Sequence, residues 1–92
     1  MAEIVRYKYI FTGRVKGVGF RFKASQLAGK FSLTGFVRNE YDGSVMMEVQ
    51  GTEEEIYMYI KSLLNDRYID VYDMQRERIP LEEHERRFGI DY

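Results

Sequence analysis

The sequence predicts an α+β domain: a two-layer sandwich of the order βαββαβ, with an antiparallel sheet carrying two helices on one face. Three observations lead there. Apolar and aromatic residues alternate at period two in several short runs, which is the strand signature. Two other stretches repeat apolar residues at spacings of three and four, which is one face of a helix. The chain has only 92 residues, enough for one core and not two, so residues 1–92 are expected to form a single domain. Two helices cannot cover both faces of so small a sheet, and sharing one face is the economical solution.

The first strand is read from residues 4–12, IVRYKYIFT, where Tyr7, Tyr9 and Phe11 alternate with Arg6, Lys8 and Ile10. A Gly-rich run follows. Then Phe20, Ala24, Leu27, Ala28 and Phe31 mark a helix over about 21–31. Residues 34–40, TGFVRNE, read as the second strand, and Tyr41-Asp42-Gly43-Ser44 as a turn, because Asp-Gly tolerates positive φ. Residues 45–50, VMMEVQ, return as the third strand, with Val45, Met47 and Val49 on one face and Met46, Glu48 and Gln50 on the other. Gly51 is expected to end it. Thr52 with Glu55 three residues on forms a capping box, and Glu53 and Glu54 suit the positive end of a helix dipole. Ile56, Tyr59, Ile60, Leu63 and Leu64 place the second helix over 53–65. Residues 69–78 read as a fourth strand with a charged outer face, ended by Pro80. Phe88, Ile90 and Tyr92 alternate in a short closing strand. This order is that of the ferredoxin-like arrangement, which hosts many functions, so function has to be read from the site.

Composition removes several classes. There is no cysteine, so disulfides, zinc–thiolate centres and thiol nucleophiles are out, which fits a reducing, cytoplasmic setting. The one histidine, His84, stands among Glu82, Glu83, Glu85, Arg86 and Arg87, a solvated context, and cannot build a multi-histidine metal site. The formal net charge is −1, without the basic excess of a dedicated nucleic-acid binder. No stretch has the length of a membrane span. No nucleic acid and no membrane is therefore expected as a partner.

The informative stretch is GRVKGVGFRF, residues 13–22. It runs from a strand into a helix N-terminus. Glycines there let the backbone curl and aim several N–H groups at one point, and helix start and amides together favour an anion. Gly17 and Gly19 leave room for close approach, Val15 and Val18 anchor the loop, and Arg21 brings a fork-shaped cation that matches phosphate. The nucleotide loops GxxxxGK[ST] and GxGxxG do not fit. Lys16 to Phe22 echoes an RNA-recognition signature, but Val18 stands where that signature needs a stacking aromatic, and the copy precedes the first helix instead of lying on the third strand. At the end of the second strand, Asn39 can hold a water through its amide, or simply close the turn.

Together the two stretches resemble the acylphosphatase family. GRVKGVGFR is similar to its first signature, G-x-V-Q-G-V-x-F-R. GFVRNEYDGSVMMEVQG is similar to its second at Gly35, Phe36, Val37, Arg38, Asn39, Gly43, Val45 and Gly51, and FGIDY is similar to its closing strand. The resemblance spans nearly the whole chain. It implies a monomeric enzyme of the ferredoxin-like fold that hydrolyses acyl phosphates to carboxylate and inorganic phosphate, with a small-molecule substrate, no cofactor and no metal. It also implies that Arg21 binds the phosphate, that Asn39 positions the attacking water, and that the loop amides of Lys16, Gly17, Val18, Gly19 and Phe20 complete the phosphate site. Lys16 departs from the usual glutamine. Similar domains also occur as accessory parts of larger hydrogenase-maturation carbamoyltransferases. The end of the chain leaves two readings open: the Tyr92 carboxylate pairs with Arg21, should the last strand lie beside the first loop, or the terminus is simply frayed.

Overall fold

Five strands and two helices follow one another in a computed structural model that describes residues 2–91. The elements are β1 (Ile4–Arg14), α1 (Phe20–Lys30), β2 (Thr34–Asn39), β3 (Val45–Thr52), α2 (Glu53–Leu64), β4 (Asp70–Ile79) and β5 (Phe88–Ile90). They form one sheet in the order β4-β1-β3-β2-β5. Neighbours pair antiparallel except β2 and β5, which run parallel. The antiparallel sheet expected from the sequence thus holds for four strands, and β5 makes the whole sheet mixed. The reason is topological. β4 and β5 lie at opposite edges, so the connection between them crosses the sheet and delivers β5 in the direction of β2.

The period-two pattern decides which residues meet the helices. Val5, Tyr7, Tyr9 and Phe11 of β1 pack with Val45, Met47 and Val49 of β3 and Val37 of β2 in one core. Phe20, Ala24 and Ala28 of α1 and Ile56, Tyr59, Ile60 and Leu63 of α2 close it from above. Buried Tyr59 has no water to hydrogen-bond, and its hydroxyl donates instead to the Ala24 carbonyl at 2.8 Å, tying the two helices together. β3 runs through Gly51 to Thr52 and does not stop at Gly51. A Cβ there would lie 2.3 Å from Leu33 Cδ2, so any larger residue would have to displace the end of the Leu33 side chain.

On the opposite face the alternation misleads in one place. Arg6 reads as an outward polar residue, yet it is only 1% exposed. The β4–β5 connection crosses above it. Arg6 donates to Glu48 at 3.0 Å, to Gln50 at 3.1 Å and to Glu85 at 2.7 and 3.2 Å, and Gln50 in turn holds the backbone of Glu82. A buried guanidinium is tolerable only when its donors are met in this way. The segment around His84, expected to be solvated, is exposed at His84 itself but sends Glu85 inward. Within the described residues no helix is long and apolar enough to cross a membrane.

Candidate active site

β1 carries a register shift between Thr12 and Gly13, after which Gly13 and Arg14 still pair with Val71 and Asp70 of β4 before the strand ends. Gly13 has φ 127° and its missing Cβ would sit 2.4 Å from the Asp70 carbonyl oxygen, so positive φ and close backbone approach demand glycine together. Five residues of turn, 15–19, then lead to α1. Val15, 1% exposed, pins the loop to the core, and Val18 packs against the same cluster. Gly17 and Gly19 take left-handed φ values of 76° and 81° with open space around their Cα atoms.

Gly19 is the N-cap of α1, and no side chain caps this helix. Its first turn carries no acidic residue. The first intrahelical bond runs from Lys23 N–H to the Gly19 carbonyl at 2.9 Å. The backbone N–H groups ahead of it lie outside the intrahelical ladder and form the positive end of the helix dipole.

Asn39 reaches the same place from the sheet. Gly35 and Val37 of β2 face the helices, as their burial shows, and Asn39 continues that alternation at the strand's end. The following turn is held by Glu40 N–H on the Ser44 carbonyl (2.9 Å), Gly43 N–H on the Glu40 carbonyl (3.2 Å) and Ser44 on the Asp42 carboxylate (3.0 and 2.6 Å). Among the described residues these bonds use the backbone and the Ser44 and Asp42 side chains, not the Asn39 amide. The Ser44 hydroxyl, followed by its N–H, holds the Asp42 carboxyl below its ordinary range.

The result is a cleft of about 250 Å³ lined by Val15, Gly17, Gly19, Phe20, Arg21, Phe22, Asn39 and Ile90. Arg21 is the one charged side chain among the described residues that line it. The chemistry offered is a cation, a helix start, glycine backbone and one amide side chain, a set that suits an anion with a water beside it. Of the residues expected from the sequence, Arg21, Asn39, Gly17, Gly19 and Phe20 come together here. Lys16 and Val18 are not among the lining side chains. Lys16 instead borders a neighbouring depression with Arg38, Asn39, Glu40 and Tyr41, and Val18 turns to the core. Arg38 is engaged by Glu40 at 2.9 Å and Asp91 at 3.6 Å, Glu40 contributing most to a guanidinium held above its ordinary value.

Phe22 and Ile90 were not anticipated. Ile90 arrives because β5 pairs Ile90 with Val37 and Asp91 N–H bonds the Val37 carbonyl at 2.9 Å. That parallel pairing has no local sequence signal. The signal for Phe22 was present: it is a large apolar residue off the apolar stripe of α1. The two readings of Tyr92, paired with Arg21 or frayed, fall on a residue outside those described.

Comparison with known proteins gives one consistent picture. The family model described as Acylphosphatase matches residues 7–90. An acylphosphatase of Clostridium acetobutylicum is 39% identical over 95% of this chain and 97% of its own length. The crystal structure of acylphosphatase from Bacillus subtilis superposes with a TM-score of 0.87 at 32% identity, covering 96% of this chain and 99% of that one. Full-length HypF, in a phosphate- and nucleotide-bound form, aligns with all of this chain but with 12% of its own length, TM-score 0.85. At 23% identity that likeness concerns the fold alone.

Proposed function

The chain belongs to the acylphosphatase family, enzymes that hydrolyse acyl phosphates, and from that premise we propose how its cleft divides the work. Arg21 and the backbone N–H groups of Lys16, Gly17, Val18, Gly19 and Phe20 bind the phosphoryl oxygens. Asn39 orients the attacking water. The observation carrying this reading is that Arg21 and Asn39, from a helix start and a strand end, line one cleft with the left-handed glycines Gly17 and Gly19.

The reaction asks little more of a protein. An acyl phosphate, R–CO–O–PO₃²⁻, carries a carboxylate leaving group, which departs without strong acid assistance. The water oxygen forms a bond to phosphorus as the P–O bond to the acyl group breaks. The carboxylate leaves with that electron pair, and a phosphoryl oxygen of the substrate takes the water's proton. What the protein supplies is in-line position and stabilisation of charge on the equatorial oxygens. A fixed guanidinium and preorganised N–H groups stabilise that charge without reorganising at the moment of reaction. Neither role calls for a nucleophilic side chain, a cofactor or a resident metal.

The test is hydrolysis of benzoyl phosphate by the purified protein in excess EDTA. Activity is expected to survive chelation. Arg21→Gln and Asn39→Ala are each expected to lower kcat by about 10²–10³-fold, the scale for losing one preorganised transition-state contact, while circular dichroism stays native. Full activity in either variant contradicts the assigned roles.

A further inference from the structure

The two walls of the cleft differ in character. Asn39 and Ile90 belong to the sheet, Arg21 and Phe22 to the first turn of α1. α1 turns Phe20, Ala24 and Ala28 into the core. At about 100° per residue, Phe22 lies about 200° round from Phe20, on the outer side of the helix and away from the sheet. It is 63% exposed. The other aromatic and aliphatic residues of the cleft are buried or half-buried: Val15 and Phe20 are each 1% exposed and serve the core. Phe22 is the lining residue with a large apolar surface left to water. A scattered exposed phenylalanine needs no explanation. One lining a polar cleft on its helix wall, while Asn39 lines it from the sheet, has a specific geometry to answer for.

In-line displacement supplies the answer. Attacking and leaving oxygens lie on opposite sides of phosphorus. With the water held at Asn39 on the sheet wall, the acyl group points toward the helix wall and out past Phe22. We infer that Phe22 is the acyl-side contact of this enzyme, a platform that favours acyl phosphates with aromatic or bulky apolar acyl groups over small ones. This rests on the roles proposed above for Arg21 and Asn39. Ring-on-ring contact at the mouth stabilises bound substrate and transition state alike. Nothing comparable is offered to an acetyl group, which is too short to cover the ring.

The experiment compares kcat/KM for benzoyl phosphate and acetyl phosphate in the wild type, Phe22→Ala and Phe22→Tyr. Taking the ratio within each protein, then comparing proteins, cancels the difference in intrinsic reactivity of the two substrates. Phe22→Ala is expected to lower the benzoyl-to-acetyl ratio by about three- to tenfold, the scale of an aromatic pair contact. Phe22→Tyr is expected to keep the wild-type ratio. An unchanged ratio in Phe22→Ala overturns the inference, as does an equal fall in Phe22→Tyr. Wild-type protein that hydrolyses neither substrate fails earlier, at the function itself, and is thereby distinguished.

Discussion

The two helices of this domain begin in opposite ways. α2 starts at Thr52, whose hydroxyl oxygen accepts from the Glu55 N–H at 3.2 Å and whose hydroxyl bonds the Glu55 carboxylate at 3.0 Å. Glu53, Glu54 and Glu55 fill its first turn. Glu53 also accepts from the Tyr7 hydroxyl, which ties the helix start to the sheet. α1 starts at Gly19 in a left-handed conformation, with no side-chain cap, no acid in its first turn, and Arg21 in place of the acids. The side-chain cap, the capping box and the first-turn acids are all present at α2 and absent from α1. A carboxylate placed at α1 would satisfy the same N–H groups and dipole that an anionic substrate needs. One helix start is closed by its own sequence, and under the proposed roles the other takes the substrate's phosphate.

Transferring the chemistry of α2 to α1 tests this contrast most strongly. Gly19 has φ 81° and open space where a Cβ would go. Asn and Asp are the side chains that best tolerate that conformation, and they differ there essentially by one negative charge. Gly19→Asp is expected to be at least about tenfold less active than Gly19→Asn, tenfold corresponding to only about 1.4 kcal/mol of lost transition-state stabilisation. Steady-state rates on benzoyl phosphate, with melting temperatures for both variants, measure it. Equal rates would mean that the end of α1 does not hold an anion.

The reverse change at α2 is expected to act on stability alone. Thr52→Ala removes the cap and should cost about 1 kcal/mol. For a chain of this size that lowers Tm by about 4–8 °C, while kcat/KM at 25 °C stays at the wild-type value. A thermal melt beside one rate assay decides it, and lost activity at a temperature where the variant is folded would break the division between the two ends.

The smallest effect concerns the contact that joins the helices beyond their starts. Lys23 of α1 bonds the Asp66 carboxylate, just past α2, at 2.8 Å, and that bond, followed by one from the Tyr68 backbone N–H, holds the Asp66 carboxyl below its ordinary value. A group held low in the folded state contributes stability that is fully present above its unfolded pKa and is lost as the pH falls through the folded one. In Asp66→Asn, stability should therefore vary less steeply with pH below about 4. Urea titrations of both proteins between pH 5 and pH 2 would show the difference in slope, and identical slopes would remove Asp66 from the account.

The sequence made the contrast legible because caps and dipoles act locally. Thr52-Glu53-Glu54-Glu55 and Gly17-Val18-Gly19 both announce their helix starts within four residues. The six main elements were readable for the same reason, since alternation and three-four spacing are properties of short windows. What escaped is long-range. The parallel pairing of β5 depends on where the β4–β5 connection crosses. Arg6 became a buried charge because that crossing lies over it, and no window around Arg6 contains Glu85. Phe22 was visible as an off-stripe aromatic, but its place at the mouth of the cleft follows only from the packing of α1 on the sheet. Nothing in the structure explains why Lys16 stands where the resemblance leads one to expect glutamine.

The most direct test of the contrast is titration of ¹⁵N-labelled protein with inorganic phosphate, followed by amide chemical shifts. The account predicts saturable shifts for Gly17, Gly19, Phe20 and Arg21, and none of comparable size for Glu53, Glu54 and Glu55. Shifts of equal size at both helix starts, or a silent Gly17–Arg21 segment at saturating phosphate, would contradict it.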